Sequence, residues 1–430
     1  MPTPPLRPSP QATAVSRDRG DACPGTLRLH TADDGALARV RVPGGVLTVR
    51  QAETLSEVAR RLGDGELHLT SRGNVQVRGL AGDCGAELAD SLDTAGLLPS
   101  PGHERVRNIV ASPLSGLDGR GLGDVRPWLS GLDAALCGSE AARALSGRFL
   151  FALDDGRGDV AALGADVTLR AAGDGGALLA IGTAEKALSV PAGDAPRAAL
   201  AAAETFLEAA RESGARVWRV TELPFQEQLL PLVRRRLAAD GIDATSRPRV
   251  GTADAEGPPP GAVGDALSVH APFGRLTTPQ WRELTHLASG TPCRELRLTP
   301  WRGVVVPTPG MSEEQASETL ARLSAAGLVT VPDSPWLRVG ACVGRPGCAK
   351  SLADVRADAT ENLAAAGRAG LPVYWSGCER RCGHPRGERI DVVAVPDGGY
   401  QLSRTAPGQD PRTAPPADPS RLATALAAIT

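Results

Sequence analysis

The sequence predicts an α+β protein built by tandem duplication of one unit, and three observations support this. Residues 43–70 align with residues 272–299 without gaps and give 11 identities in 28 positions. Chance would give about two such identities. Both copies contain short stretches in which apolar and polar residues alternate, which is typical of strands. Between these stretches lies the apolar stripe of an amphipathic helix.

The elements of the first copy follow in order. Residues 38–42 alternate and carry arginines on one face, which predicts a strand. Apolar residues at 55, 58, 59 and 62 predict an amphipathic helix. Residues 66–70 and 75–78 alternate again and predict two further strands. The order strand, helix, strand, strand indicates a half-ferredoxin-like module, and we expect the two modules to pair into one sheet.

The duplication continues beyond these modules, with residues 107–111 aligned on residues 338–342. In this register Ala111 and Leu117 occupy the places of Cys342 and Cys348, so only the second copy is expected to keep a metal site. Residues 195–210 are Ala-rich and predict a helix, whereas residues 252–264 have the composition of a linker. Residues 406–419 are expected to be mobile and to precede a short helix over residues 420–429.

Composition excludes several classes of protein. The 47 basic and 49 acidic residues give a net charge of −2, which argues against a general nucleic-acid binder. Hydrophobic residues make up 42% of the chain, enough for packed cores. No apolar run is long enough to span a membrane, and Met1–Pro10 lacks the apolar region of a secretory signal. We therefore expect a cytoplasmic protein.

Four of the eight cysteines form a constellation, Cys342-x5-Cys348 and Cys378-x3-Cys382. The second pair is spaced i, i+4, so on a helical turn both thiolates would face the same way. Four thiolates suit structural zinc or a [4Fe-4S] cluster. Zinc pairs are usually two to four residues apart, so the first spacing favours the cluster. The other four are each expected to be small buried apolar residues: Cys23, Cys84, Cys137 and Cys293.

Polar residues concentrate where strand faces of the first copy would present them. A solvated face is one interpretation of any single arginine. Their spacing of two along two strands, with an adjoining loop, favours a convergent site for a substrate with many carboxylates. The candidate substrate-binding residues are Arg39, Arg41, His68, Arg72, Asn74, Gln76, Arg78, Arg107, Asn108 and Arg148.

The cysteine spacing within the second of two duplicated modules resembles that of the nitrite/sulfite reductase superfamily, over about residues 25–400. Residues 69–74, 103–113 and 377–383 most resemble its precorrin-3B synthase family. That family hydroxylates the tetrapyrrole precorrin-3A with dioxygen and closes a lactone in aerobic cobalamin biosynthesis. The resemblance implies a [4Fe-4S] cluster, a mononuclear non-haem iron and a separate electron-donor reductase or ferredoxin.

The resemblance also assigns roles to residues. Cys342, Cys348, Cys378 and Cys382 match the cluster ligands, and the position of Cys382 bridges cluster and sirohaem in the reductases. Arg41, Arg72, Gln76 and Arg78 match contacts to tetrapyrrole carboxylates or the distal pocket. Arg107 and Arg148 match the basic residues that hold the oxyanion substrate of the reductases. Leu150 departs from the pattern, since the reductases carry a lysine there.

The resemblance implies a division of the chain into five parts. These are half-ferredoxin-like module 1 (25–98), a cluster-free nitrite/sulfite reductase-type domain (99–250), module 2 (262–332), a cluster-bearing reductase-type domain (333–405) and a tail (406–430).

Several questions stay open at this stage. No 2-His-1-carboxylate motif for the iron is visible, and the candidates are His68, His103, His270 and His384. No G-x-G-x-x-G motif follows a strand, so a bound nicotinamide or flavin is not supported. Two alternatives to the monooxygenase remain: a sirohaem-dependent sulfite or nitrite reductase, and a non-catalytic protein that binds a cluster or zinc.

Overall fold

The structure is a computed structural model and describes residues 25–251, 256–385 and 387–429. The predictions for Met1–Pro10, for Cys23 and for residues 252–255 of the linker lie outside these ranges. Among the described residues, no helix combines the length and apolar character needed to cross a membrane.

The two predicted modules have the same elements in the same order. Module 1 contains β1 (His30–Ala32), β2 (Gly35–Val40), β3 (Val46–Thr48), α1 (Val49–Leu62), β4 (Glu66–Leu69), β5 (Val75–Leu80) and α2 (Gly85–Thr94). After α3–α5 and β6–β11, whose bounds follow below, module 2 contains β12 (Gly261–Ala262), β13 (Ala266–His270), β14 (Arg275–Thr277), α6 (Thr278–Ser289), β15 (Glu295–Leu298), β16 (Gly303–Pro307) and α7 (Glu313–Ala325).

Equivalent local signals start the equivalent helices. Thr48 caps α1 by accepting a hydrogen bond from the backbone N–H of Gln51, whose side chain bonds back to the backbone of Thr48. Thr277 and Gln280, at the equivalent positions of the second copy, form the same capping box at the start of α6. The predicted duplication therefore extends to the residues that begin each helix.

The two modules exchange a strand, so the expectation of one common sheet is wrong. One five-stranded sheet has the order β1-β2-β5-β4-β14 and the other β12-β13-β16-β15-β3. β14 of module 2 pairs with β4 of module 1, and β3 of module 1 pairs with β15 of module 2. Each module thus supplies the edge strand of the other sheet, which satisfies backbone groups that a lone module would leave unpaired.

Two repeated glycines allow this exchange. Gly45 and Gly274 have φ of 73° and 72°, a region that residues with a Cβ rarely adopt. A Cβ at Gly45 would lie 1.9 Å from the carbonyl oxygen of Leu298, and one at Gly274 would lie 3.0 Å from that of Leu69. The close approach of the exchanged chain explains why both copies keep glycine here.

Both modules pack around one shared core that contains residues of both copies. Helices α1 and α6 meet where the pseudo-twofold axis must pass, because Ala52 and Trp281 are equivalent in the alignment of the two copies and touch each other. The indole Nε1 of Trp281 donates to the carbonyl oxygen of Ala52 at 2.8 Å, and Trp281 is fully buried. A small residue in one copy therefore makes room for the largest residue in the other.

The remaining two units are also related. The first contains β6 (Ile109–Ala111), α3 (Arg126–Gly138), β7 (Phe151–Asp154), β8 (Val167–Ala171), β9 (Ala177–Ile181), β10 (Lys186–Val190), α4 (Ala195–Glu212), α5 (Leu229–Ala239) and β11 (Thr245–Pro248). The second contains β17 (Val339–Ala341), α8 (Val355–Glu361), α9 (Leu363–Arg368), β18 (Val373–Ser376), β19 (Arg389–Ala394), β20 (Tyr400–Thr405), β21 (Arg412–Thr413) and α10 (Leu422–Ile429). In both sheets three parallel strands are followed by antiparallel ones.

The segment predicted as a separate tail belongs to the second of these units. β21 pairs with β20, and Ala417 exchanges backbone hydrogen bonds with Tyr400. Leu422 and Leu426 of α10 are buried in the same core as Tyr400. β21 and α10 therefore pack as part of this unit, and α10 confirms the short helix predicted over residues 420–429, whereas the mobility of residues 406–419 stays a prediction.

The scattered cysteines fit the expectation only in part. Cys84 and Cys137 are half-buried, and Cys84 packs against the shared core. Cys293 is exposed, so the prediction of a buried apolar residue is wrong there.

Candidate functional site

One face of the first sheet carries a row of polar side chains. Arg39 of β2 lies opposite Gln76 of β5, Gln76 opposite His68 of β4, and His68 opposite Arg275 of β14. With its amide oxygen toward Arg39, Gln76 accepts hydrogen bonds from Nε at 3.2 Å and Nη2 at 2.6 Å. The predicted period of two is confirmed, and the exchanged strand adds a fourth member, Arg275, that the first copy alone does not contain. We call the row Arg39, Gln76, His68 and Arg275, together with Arg78 two residues beyond Gln76 on β5, the polar face.

The loop that contains Cys342 and Cys348 lies against the polar face. Arg78 of β5 donates to both carboxylate oxygens of Asp34 at 2.8 Å and to the carbonyl oxygen of Gly347 at 3.2 Å. The backbone N–H of Ala349 donates to Asp33 at 2.6 Å. Module 1 and the cysteine-bearing unit thus form one site, although they are at opposite ends of the chain.

The topology brings the cysteines together. Cys342 follows β17 and Cys378 follows β18, and the carboxyl ends of these parallel strands lie side by side. The Sγ of Cys342 accepts the backbone N–H of Gly377 at 3.3 Å, the kind of bond that moderates negative charge at iron–sulfur sites. Burial raises the pKa of the Cys342 thiol, and the fields of Cys382 and Cys378 raise it further.

The expectation of a helical turn at the second cysteine pair is wrong. Residues 378–383 form turns, and Arg381 has φ of 46°. Tyr374 holds this segment by donating its hydroxyl to the carbonyl oxygen of Cys382 at 2.5 Å, and burial raises the pKa of Tyr374 to about 12. Cys382 is exposed, whereas the other three cysteines are half-buried. The site is therefore open on the side of Cys382.

The spacing of the sulfurs bears on the choice between zinc and a cluster. The thiolates of tetrahedral zinc, each about 2.3 Å from the ion, lie about 3.8 Å apart. Among the described residues, no three cysteine sulfurs lie within 4.8 Å of one another. A cluster spaces its thiolates more widely because its iron–sulfur core lies between them. Four thiols and an N–H···S bond to one of them are features that iron–sulfur sites use.

The unit that contains β6 has the corresponding backbone without the four cysteines. The strands β6 and β17 correspond with Ile109 aligned on Val339, so Ser112, and not Ala111 as predicted, occupies the place of Cys342. Ser112 Oγ accepts the N–H of Asp155 at 3.1 Å, as Cys342 Sγ accepts that of Gly377. It donates to Asp159 at 2.6 Å. The predicted register is one residue off because the short strand contains too few identities to define it.

Asp159 provides a test of this arrangement. Burial raises its pKa to about 7, with the charge of Asp154 adding to the effect. Between about pH 4 and 7 the folded state then binds more protons than the unfolded state, so stability falls as pH rises through this window. The substitution Asp159→Asn keeps the acceptor for Ser112 but carries no charge. We expect it to stabilise the protein by about 1–3 kcal/mol at pH 8 and by much less at pH 5.

Thermal unfolding midpoints at the two pH values measure this effect. Asp93→Asn removes an exposed carboxylate on α2 and is the matched control. An equal change at pH 5 and pH 8 would show that the charge of Asp159 is not responsible.

Six of the predicted substrate-binding residues are buried, and all of these except His68 are held by hydrogen bonds within the protein. Asn74 accepts the N–H of Val42 and donates to Asn108, which donates to the carbonyl oxygen of Phe149. Arg107 forms a two-bond ion pair with Asp133 of α3, at 2.7 and 2.6 Å. Arg41 donates to the carbonyl oxygens of Arg105 and Gly147, and Arg78 bonds as described above. Direct contact of these six with a substrate stays a prediction.

Four others are accessible. Arg39, Arg72 and Gln76 are half-buried, and Arg148 is exposed. Arg72 donates to the carbonyl oxygen of Gly147 at 3.4 Å, and Arg41 donates to the same oxygen. The loop before Arg148 is therefore held beside these arginines. The guanidinium of Arg148 lies 4.8 Å from the ring centre of Trp218. These residues are the ones that a ligand could reach.

The remaining candidate histidines have local partners. The two ring nitrogens of His103 lie 2.7 Å from Ser100 Oγ and 2.8 Å from the carbonyl oxygen of Ser139, and His103 is buried. Burial lowers the pKa of His270 to about 4, so this imidazole is neutral. His384 is exposed and contacts the carbonyl oxygen of Pro385. His68 differs from all three, because its Nε2 is buried without a hydrogen-bond partner.

Sequence reasoning missed several residues of this region. Asp34 binds Arg78, Arg275 binds Glu66, and Asp64 lies near His68. Glu66 had a signal, because it is one of the identities that the two copies share. Arg275 reaches the site only through strand exchange, which no local pattern predicts.

Leu150 lies in a small apolar cluster. It is 4% exposed and packs with Val110, Ala152, Val160 and Ala165. This position therefore offers neither a charge nor a hydrogen-bond donor to a ligand.

Comparison with known proteins identifies relatives of this fold and site. Residues 30–94 match the family described as the nitrite/sulfite reductase ferredoxin-like half domain. A precorrin-3B synthase of Sinorhizobium sp. is 27% identical over 90% of this chain and 83% of its own length. A ferredoxin–nitrite reductase of Synechococcus elongatus is 28% identical over 84% of this chain and 76% of its own.

The fold has a counterpart among solved structures. The NirA protein of Mycobacterium tuberculosis superimposes with a TM-score of 0.67 over 90% of this chain and 79% of that chain, at 18% identity. This likeness extends over all four units described above and supports the architecture alone.

Proposed function

Because the chain belongs to the nitrite/sulfite reductase superfamily, we propose that it is a precorrin-3B synthase, a cytoplasmic oxidoreductase. It would hydroxylate the tetrapyrrole precorrin-3A with dioxygen and close a lactone, with electrons from a separate reductase or ferredoxin. The observation that carries this choice is Leu150. An enzyme that reduces sulfite or nitrite needs cations around its small oxyanion, and a buried leucine supplies none.

The position of Arg148 adds support. A guanidinium stacked on Trp218 is partly committed to the ring. The resemblance links positions 148 and 150 to oxyanion binding. In this chain the first is an arginine engaged by Trp218 and the second is a leucine. A tetrapyrrole that is the substrate, and not the prosthetic group, needs no oxyanion site above it.

We assign a [4Fe-4S] cluster to Cys342, Cys348, Cys378 and Cys382. When bound, such a cluster supplies one-electron transfer to chemistry at the adjoining polar face. The chain contributes the N–H donor of Gly377, the support of Tyr374 under Cys382, and the bond from Arg78 to Gly347 that holds the loop in place.

The accessible arginines would bind and orient the substrate. Arg39 belongs to the polar face and Arg72 to the adjoining loop, and each guanidinium can form two parallel bonds to a carboxylate. Holding the macrocycle at several carboxylates would fix which carbon lies at the reacting position. Gln76 orients Arg39 through two hydrogen bonds.

Arg72→Ala tests the clamp. We expect about 10- to 100-fold weaker binding of precorrin-3A, because hydrogen bonds to charged groups contribute about 1.5–3 kcal/mol. The measurement is anaerobic fluorescence or absorbance titration with cluster content checked by sulfide analysis. Arg60→Ala on α1, whose arginine pairs only locally with Glu57, is the matched control. Unchanged affinity in a protein with an intact cluster would remove Arg72 from the clamp.

A sirohaem-dependent reductase is the second candidate, since the nitrite reductase relative covers 84% of the chain. Anaerobic purification with iron, sulfide and zinc analysis and an absorption spectrum separates the candidates. About four sulfides per chain without sirohaem bands, followed by oxygen-dependent conversion of precorrin-3A, supports the synthase. Stoichiometric sirohaem bands would favour the reductase, and one zinc without sulfide would contradict both.

A further inference from the structure

We propose that Asp64, Glu66 and His68 form a binding site for one divalent first-row metal ion, separate from the four cysteines. Among the described residues, these three are the group of potential metal ligands whose donor atoms all lie within 4.8 Å of one another. One imidazole nitrogen and two carboxylate oxygens suit Mn²⁺, Fe²⁺, Co²⁺ or Zn²⁺. The mononuclear iron that the resemblance implies would be one such occupant.

His68 supplies the first independent observation. It is 8% exposed, and its Nε2 is buried without a hydrogen-bond partner. The nearest carboxylate oxygens are Asp64 Oδ2 at 3.7 Å and Glu66 Oε2 at 4.0 Å, too far for hydrogen bonds. Leaving a buried nitrogen unsatisfied costs about 1–3 kcal/mol. A metal ion between His68 Nε2, Asp64 Oδ2 and Glu66 Oε2 would give the unpartnered nitrogen a ligand bond and bind both carboxylates.

The second copy of the module supplies another observation. In the alignment of the two copies, Glu66 and His68 correspond to Glu295 and Arg297. Arg297 donates to Glu295 at 2.9 Å and to the carbonyl oxygens of Pro113 and Ser115 at 2.9 and 2.8 Å. In that copy a built-in cation therefore satisfies the glutamate. In module 1 Arg275 of the exchanged strand pairs with Glu66 instead, so His68 is not used for this contact and its Nε2 stays without a partner.

Other contacts of the group are compatible with an ion. Arg275 donates to both carboxylate oxygens of Glu66, and Asp64 Oδ1 accepts the N–H of Glu66 at 3.0 Å. Each carboxylate oxygen has two lone pairs, so these bonds leave capacity for a metal. The side chain of Asp64 is 35% exposed, which provides a route of entry.

Titration of the holoprotein with Mn²⁺, followed by the electron paramagnetic resonance signal of free Mn²⁺, tests the site. We expect one bound ion per chain. His68→Gln and Asp64→Asn should each weaken binding at least about 100-fold, since even an outer-shell partner contributes 10- to 100-fold. Glu53→Gln removes an exposed carboxylate of α1 and should leave the affinity unchanged.

A second variant distinguishes lost ligation from lost folding. His68→Arg recreates the Glu295–Arg297 arrangement of module 2, so the fold should accept it, with unfolding midpoint and sulfide content maintained. It should bind no Mn²⁺ at this site. Absence of a stoichiometric site in the unmodified protein, or unchanged affinity in His68→Arg, would overturn the proposal.

This metal site does not depend on the proposed function. A protein that binds Mn²⁺ here but has no affinity for precorrin-3A would retain the site and lose the synthase assignment. A protein that converts precorrin-3A but has no Mn²⁺ site sensitive to His68 would lose only the metal proposal.

Discussion

Cys342→Ser should purify as a folded protein without acid-labile sulfide, and its activity on precorrin-3A should fall by more than about 100-fold, since direct ligands matter more than the outer-shell groups that already contribute 10- to 100-fold. Cys342 is the cysteine whose Sγ accepts the N–H of Gly377. A serine hydroxyl lacks the soft thiolate character that selects iron–sulfur clusters. The backbone should accept serine, because Ser112 occupies the equivalent position in the unit that contains β6 and accepts the equivalent N–H.

The matched control is Cys293→Ser, because Cys293 is exposed and far along the chain from the constellation. It should keep full sulfide and iron content. A Cys342→Ser protein with unchanged sulfide content would show that Cys342 is not a ligand and would contradict the cluster assignment.

Trp281→Ala should destabilise the paired modules by about 3–5 kcal/mol, the range for removal of a large buried aromatic side chain. Trp281 is 1% exposed and joins the modules by its bond to the carbonyl oxygen of Ala52. Truncation leaves a cavity between α1 and α6 and removes the hydrogen bond to the Ala52 carbonyl oxygen. Urea unfolding followed by circular dichroism measures the loss. Unfolding in several steps is expected for a chain of four units, so the transition of the modules is the one to compare.

The near-twofold symmetry offers a matched test. Because Ala52 and Trp281 are equivalent, the double variant Ala52→Trp/Trp281→Ala moves the indole across the pseudo-twofold axis and keeps the total volume. It should recover about half or more of the stability lost in Trp281→Ala, since volume-conserving changes usually cost less than about 1.5 kcal/mol. A double variant as unstable as Trp281→Ala would show that the surroundings of the two helices are not equivalent.

Much of the fold follows from local sequence. The capping boxes of Thr48 and Thr277 start the equivalent helices, and alternation predicts β4 and β5. The repeat of residues 43–70 at 272–299 predicts two related modules, and the spacing of four cysteines predicts one metal site in the second copy. These features depend on residues that are close in the chain or identical between the two copies. The spacing of apolar residues and the comparison of the chain with itself are therefore enough to predict them.

Errors arose where contacts join distant residues. The exchange of β3 and β14 pairs segments that belong to different copies of the module, and no local pattern distinguishes it from a sheet within one module. The segment 406–419 is rich in Pro, Asp and Thr, which favours a tail, but β21 pairs with β20 and the helix that follows buries Leu422 and Leu426 in the same core. In both cases the burial of a few residues by a distant element outweighed local composition.

The sequence by itself determined the duplication, the face on which each polar side chain of β2, β4 and β5 lies, and the thiol donor set. Only the tertiary structure decided which of these side chains are used. Arg107 is bound by Asp133 and Arg78 by Asp34 and Gly347, whereas His68 keeps a buried nitrogen without a partner. Periodicity reports the direction of a side chain, but its chemistry depends on what a distant segment places opposite it.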